Sequence, residues 1–180
     1  MKHKIYLSPL LFICLALSTQ AENRIVDLNF TSDQDNITVT PQLEFSTSIE
    51  IQEAIDNGIR VQLIVKAQLY EPSSWWFDKS ISSEILQLEV SYYVLGKYYV
   101  IRNKKTDQRI GNSEYRKLWS QIDKFISIKL ARQNSSNPWI KYRIMLDKGS
   151  LPTAMQLPVL FDENWDIDTD WFAKRVNLSD

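Results

Sequence analysis

From Ile59 onward every second residue is apolar: Ile59, Val61, Leu63, Val65, Ala67 and Leu69, with Arg60, Gln62, Lys66 and Gln68 between them. A helix advances its side chains by about 100° per residue, so a strict period of two cannot line one helical face. The segment is a strand with one face buried, and such a strand needs neighbours on both edges and a second layer over its apolar face. Two more segments repeat the pattern. Leu86, Leu88, Val90, Tyr92 and Val94 alternate with Gln87, Glu89 and Ser91, and Gly96-Lys97 then turns the chain into residues 98–102 as a β-hairpin. Ile140, Tyr142, Ile144 and Leu146 alternate with Lys141, Arg143 and Asp147. Weaker strand signals cover residues 25–30, 37–45, 126–130 and 165–171, with Pro41 implying an edge strand.

Two segments switch to helical spacing. Tyr115, Leu118, Trp119, Ile122 and Phe125 share one helical face, with Ser113 as the expected N-cap and Glu114 at the positive end of the dipole. A shorter helix over residues 48–57 opens with Thr47 and Glu50 at capping-box spacing and closes at Gly58. The expected fold is mainly β: about seven antiparallel strands, sandwich-like or strongly curled, with two short packing helices. Gly58, Gly96, Gly111 and Gly149 all fall at expected turns or helix ends, which leaves no glycine for a phosphate-binding loop.

The N-terminus carries a different signal. Lys2, His3 and Lys4 precede an apolar run over residues 5–17, and Thr19-Gln20-Ala21 follows with small residues. This predicts a signal peptide over residues 1–21, cleavage after Ala21, and one periplasmic domain over residues 22–180. A bilayer span takes about 20 apolar residues, more than this run holds, and Ser8-Pro9 interrupts it. The alternative is an uncleaved inner-membrane anchor, through which alone the chain is expected to touch a membrane. Cleavage removes His3 and Cys14, the 1 histidine and the 1 cysteine of the chain. Ser-His-Asp and Cys-His nucleophile systems then go, with the usual ligands of zinc, copper and haem. We therefore expect no cofactor, no metal and no catalytic residue. With 21 basic against 22 acidic residues and no long basic run, nucleic acid is not an expected partner either.

Carboxylate chemistry survives this exclusion. Asp162, Glu163, Asp166, Asp168 and Asp170 cluster near the C-terminus. A calcium loop opening at Asp166 lacks the glycine required at its sixth place, where Trp171 stands, and has Asn177 at the twelfth in place of Glu. A strand explains the spacing better, with Trp165, Ile167 and Trp171 inward and Asp166, Asp168 and Asp170 forming a weak acidic face in water. Alternate aspartates on a strand stand about 7 Å apart, so a carboxylate hydrolase of envelope glycans is a third-ranked reading. The leading candidate contact surface is Trp75, Trp76, Phe77 and Asp78, in a loop between the strongest strand and the hairpin. Three adjacent aromatic residues in one loop cannot all face a single core, so at least one ring is expected to plug the sheet end and another to meet a partner. Tyr92, Tyr93, Tyr98 and Tyr99 flank the hairpin turn and are expected to pair across strands.

Ala54-Ile55, Asn57-Gly58-Ile59, Tyr70-Glu71-Pro72, Trp75-Trp76 with Asp78, Ser91-Tyr92, Leu95 and Tyr99-Val100 occur in this order. Leu151-Pro152, Gln156-Leu157-Pro158, Trp165 and Asp170-Trp171-Phe172 complete the series. Together they resemble a family of small secreted Gram-negative proteins, domain of unknown function 4390, across most of residues 45–172. After Phe172 the chain continues with Ala173-Lys174-Arg175. The resemblance implies an envelope location and brings no catalytic residues. It also points to a membrane histidine kinase as an envelope protein partner. The expected function is a non-catalytic periplasmic interaction module, accessory to an envelope signalling system. The alternative is a carrier of an apolar or lipid ligand in a β-lined cavity.

Overall fold

The structure is a computed structural model that describes residues 23–73, 77–133, 135 and 137–176. The alternating segments pair as their pattern demands. Val61–Glu71 (β3) is flanked on one side by Lys79–Tyr93 (β4) and on the other by Trp139–Leu146 (β8), both antiparallel. Tyr98–Asn103 (β5) and Arg109–Asn112 (β6) extend the sheet beyond β4, and Phe172–Arg175 (β9) extends it beyond β8, giving the order β6-β5-β4-β3-β8-β9. Arg24–Ser32 (β1), Asn36–Glu44 (β2) and Ile128–Ala131 (β7) form a second antiparallel sheet in the order β1-β2-β7. Neither sheet closes on itself, and among the described residues no helix is long and apolar enough to cross a membrane.

The inner face of the large sheet carries Val61, Leu63, Val65, Ala67 and Leu69 of β3, Leu88 and Val90 of β4, Ile101 of β5, and Ile140, Tyr142 and Ile144 of β8, all buried. The small sheet covers part of this face with Leu28, Ile37, Val39 and Leu130. Helices cover the rest, Ile49–Asp56 (α1) packing on β4 and Tyr115–Trp119 (α2) on β5 and β6, while Ile122–Phe125 (α3) packs on β2 of the small sheet. All these side chains join one continuous core. Two polar links cross it. The Tyr142 hydroxyl, buried at the centre, donates to the Ile126 carbonyl at 2.6 Å, and Lys174 of β9 reaches Asp27 at 2.6 Å and the Leu28 carbonyl at 2.9 Å, tying the two sheets at their edge.

A run of ring contacts links the end of the small sheet to the β4–β5 hairpin. Phe45 meets Trp119 at 5.1 Å between centroids, Trp119 meets Tyr115 at 5.8 Å, Tyr115 meets Tyr99 at 5.0 Å, and Tyr99 meets Tyr92 at 4.8 Å. The expected cross-strand pairs are present, Tyr92 opposite Tyr99 and Tyr93 opposite Tyr98.

Local details depart from the sequence reading for identifiable reasons. The helix expected over residues 115–125 is two helices, because the Ser120 hydroxyl donates back to the Lys117 carbonyl where the chain bends. Its entry is held by Asn112, whose side chain accepts from the Glu114 N–H, rather than by Ser113. Ser48 caps α1 by accepting from the Ile51 N–H, which frees the Thr47 hydroxyl to pair with that of Tyr115 at 2.6 Å. Gly58 follows α1 in the left-handed region at φ 86°, the usual helix-ending position. Pro41 lies in the central strand of the small sheet, yet β7 pairs only with Asn36–Val39, so Pro41 faces no partner on that side. Residues 165–171 are not a regular strand: a short turn at Glu163–Trp165 precedes a single bridge from Asp168 to Met145. The strand β6 and the helix Thr153–Leu160 (α4), with Pro158 inside it, were not expected.

Two outcomes follow for stability. Tyr142→Phe leaves the buried Ile126 carbonyl without its donor and lowers the unfolding free energy by about 1–3 kcal/mol; a urea titration shows this as a lower midpoint at unchanged slope. Asp27 has its carboxyl held below the usual range by the bonds from Lys174 and from the Leu28 N–H. A depressed carboxylate contributes stability that is fully present above its unfolded value, about pH 4, and is lost as pH falls through the folded value. Lys174→Met therefore flattens the acid limb of the stability profile below about pH 4 relative to the parent chain.

Candidate functional site

Of the loop between β3 and β4, Trp75 and Trp76 lie outside the described residues. Phe77 and Asp78 are described, and both are exposed, with Phe77 at 85%. The loop leaves from the outer face of the large sheet, the face turned away from the core. Tyr70 stands there opposite Trp139. Its hydroxyl is pushed up by burial and, secondly, by the Asp78 charge.

The C-terminal acidic segment runs beside β8: Asp168 bridges Met145, toward the end of β8 away from Trp139, and Trp171 then comes alongside Lys141. Ile167 and Thr169 form an irregular extension of β8: the Leu146 N–H donates to the Ile167 carbonyl at 2.8 Å, and the Thr169 N–H to the Ile144 carbonyl at 3.0 Å. The Thr169 hydroxyl accepts from the Ile144 N–H at 2.9 Å, which satisfies this buried polar side chain. Trp165 and Ile167 point into the core as expected. Trp171 does not. Asp170 adopts φ 52°, a left-handed conformation that breaks the alternation and turns the indole outward, leaving it 43% exposed. The indole instead meets Lys141, whose Nζ lies 5.2 Å from the Trp171 ring and 5.2 Å from the Tyr70 ring. A cation between two aromatic faces is favoured by both ring quadrupoles, and it holds Tyr70 and Trp171 in a fixed relation.

The three aspartates of the acidic face have separate environments. Asp168 forms a two-point pair with Arg143, through Nε at 2.7 Å and through Nη2, and its carboxylate raises the Arg143 guanidinium further above its ordinary value. The same carboxylate accepts from the Asp170 N–H at 3.0 Å, which closes the turn carrying Trp171. Asp166 is exposed and faces Lys148 at 3.4 Å. These aspartates line a polar cleft of about 650 Å³ with Glu163, Ser46 and Ser48. Among the described residues, no three acidic, histidine or cysteine side chains stand where they could hold a metal ion. Chemically, then, Asp168 acts as a fastener for the Trp171 turn.

The structure thus joins two sequence features that looked unrelated, the described end of the aromatic loop and the end of the aspartate run, through Tyr70 and Lys141. Those two were not expected as site residues. Lys141 reads locally as the polar member of an alternating strand, and only the register with β3 and β9 sets it between two rings.

Together, fold and corner define a mainly β, two-sheet antiparallel domain with a cation-centred aromatic corner at one end of its large sheet. Residues 20–174 match the family model described as Domain of unknown function (DUF4390), and the chain belongs to that family. No curated protein and no solved structure matches it.

If Asp168 holds the turn, Asp168→Asn weakens a charged pair worth about 1.5 kcal/mol. Amide exchange across residues 167–171 should then accelerate about tenfold, while the β3 and β4 amides keep their protection.

Proposed function

We propose that the domain is a non-catalytic envelope interaction module, accessory to a signalling system such as a membrane histidine kinase, with the corner at Phe77, Asp78, Tyr70, Lys141 and Trp171 as its contact surface. The observation that carries this reading is the exposure of two large rings, Phe77 at 85% and Trp171 at 43%, with Trp171 braced through Lys141 against the buried Tyr70 ring. Aromatic side chains cost little entropy to immobilise and dominate the energetics of protein contacts when they are held in place. A periplasmic setting rests on the N-terminal pattern of Lys2 to Lys4, the apolar run and Ala21. Trp75 and Trp76 adjoin the surface in sequence and belong to the proposed contact on that ground.

A photo-crosslinking residue at position 77 of the full chain, expressed in its host, tests the reading. The expected result is a discrete adduct with one envelope protein, lost on Trp171→Ala with the thermal midpoint unchanged within about 2 °C. If Phe77→Ala with Trp171→Ala folds normally and keeps every partner, the corner is not the contact surface.

A further inference from the structure

The opposite end of β4 carries a second exposed surface with a different chemistry. β4 is 15 residues long, so at about 3.3 Å per residue the β4–β5 turn lies about 46 Å from the Phe77 loop. At its apex Val94 and Leu95 are 66% and 87% exposed. The next rung down pairs Tyr93 with Tyr98, rings 5.3 Å apart, both exposed on the outer face. Gly96 makes that arrangement possible. A Cβ there would come within 2.6 Å of the Tyr98 ring and 2.8 Å of the Tyr93 ring. Below the tyrosines lies an outer-face hollow of about 650 Å³ that includes Arg60, Arg102 and Arg109 among its walls. Two carboxylates serve these three guanidiniums: Glu89 meets Arg102 at 3.0 Å and Arg60 at 3.9 Å, and Asp107 meets Arg109 at 3.0 Å and Arg102 at 3.5 Å. Lys97 adds a cation at the turn itself.

Read from apex to base, the hairpin is apolar, then aromatic, then cationic. A bilayer with anionic lipids presents the matching order from its interior outward: acyl chains, an interfacial zone that favours tyrosine, and phosphate headgroups. A protein groove has no reason to match that vertical order. We propose that this hairpin tip docks on a bilayer bearing anionic phospholipids, with Val94 and Leu95 inserted at the acyl boundary, Tyr93 and Tyr98 at the interface, and Arg60, Lys97, Arg102 and Arg109 facing headgroup phosphates. The tip is firmly mounted for this. The Tyr99 hydroxyl donates to Asp56 of α1 at 2.6 Å, and the ring series from Tyr92 to Phe45 braces the hairpin base. The membrane contact is separate from the N-terminal apolar segment and from the proposed protein contact at Phe77, and orients the Phe77 corner away from the membrane.

Vesicle co-sedimentation of the full chain tests the proposal, using phosphatidylglycerol-containing vesicles against phosphatidylcholine alone. We expect preferential binding to the anionic vesicles that falls at least tenfold with Leu95→Asp. It should fall about fivefold for each of Arg60→Gln and Arg109→Gln, weaken at high salt, and resist displacement by inorganic phosphate. Ile85→Asp, at an apolar position on mid-sheet that is 56% exposed, should bind as the parent does, which separates tip insertion from general loss of apolar surface. Every variant retains the same N-terminal segment, so a difference between variants comes from the substituted residue. Undiminished binding by Leu95→Asp overturns the proposal, as does displacement by inorganic phosphate. So does a crosslinker at position 95 that captures a protein and no lipid in cells.

Discussion

The inner face of β3 is the constraint on which the rest of the structure depends. Val61, Leu63, Val65, Ala67 and Leu69 are all essentially without solvent exposure, and their strand is paired on both edges. Burying such a face stabilises the fold by roughly 1.5–3 kcal/mol for each large aliphatic side chain, so it must be covered along its whole length. One element cannot do that. The small sheet covers part of the face and α1 and α2 cover more of it, with α3 packed on the small sheet, so the chain folds as two sheets with helices filled in between. The irregular features, a helix split at Ser120 and a small sheet tied at its edge by Lys174, are consequences of fitting short elements onto one twisted surface.

The outer face of the large sheet has the opposite character. Apart from the buried Tyr70, its side chains are organised by ion pairs and by cations on rings. At one end Lys141 spaces Tyr70 and Trp171; at the other, arginines stand below an apolar hairpin apex. The 15-residue strand β4 separates these two surfaces and also connects them mechanically. In the docking proposed above, the hairpin end faces the membrane and the aromatic corner faces away from it.

Much of the large sheet was legible from local pattern. β3, β8 and the hairpin half of β4 announce themselves by alternation because each has one buried face and one wet face. The first half of β4 does not, since Lys79 to Ile85 runs past the end of β5 with much of its length exposed. β6 is four residues long with a glycine in it, and its strand conformation comes from zipping onto β5. The helix α4 buries only Val159 and so lacks an apolar stripe to recognise. The direction of Trp171 was missed for another reason: a single left-handed residue, Asp170, inverts the alternation, and no periodic reading anticipates such a residue in a run of aspartates.

By itself the sequence determined the class of fold, the hairpin with its tyrosine pairs, and the location of most of the core. These follow from side-chain period and turn chemistry, which are local properties of the chain. Only the tertiary structure decided that Lys141 stands between Tyr70 and Trp171, that Asp168 fastens the turn carrying Trp171, and that three arginines gather below the hairpin apex. The first two depend on the register of β8 with β3 and with the C-terminal segment, and the third on the β4–β5 and β5–β6 pairings together with the position of Arg60. That register is set by the joint packing of the whole inner face, and no short segment encodes it.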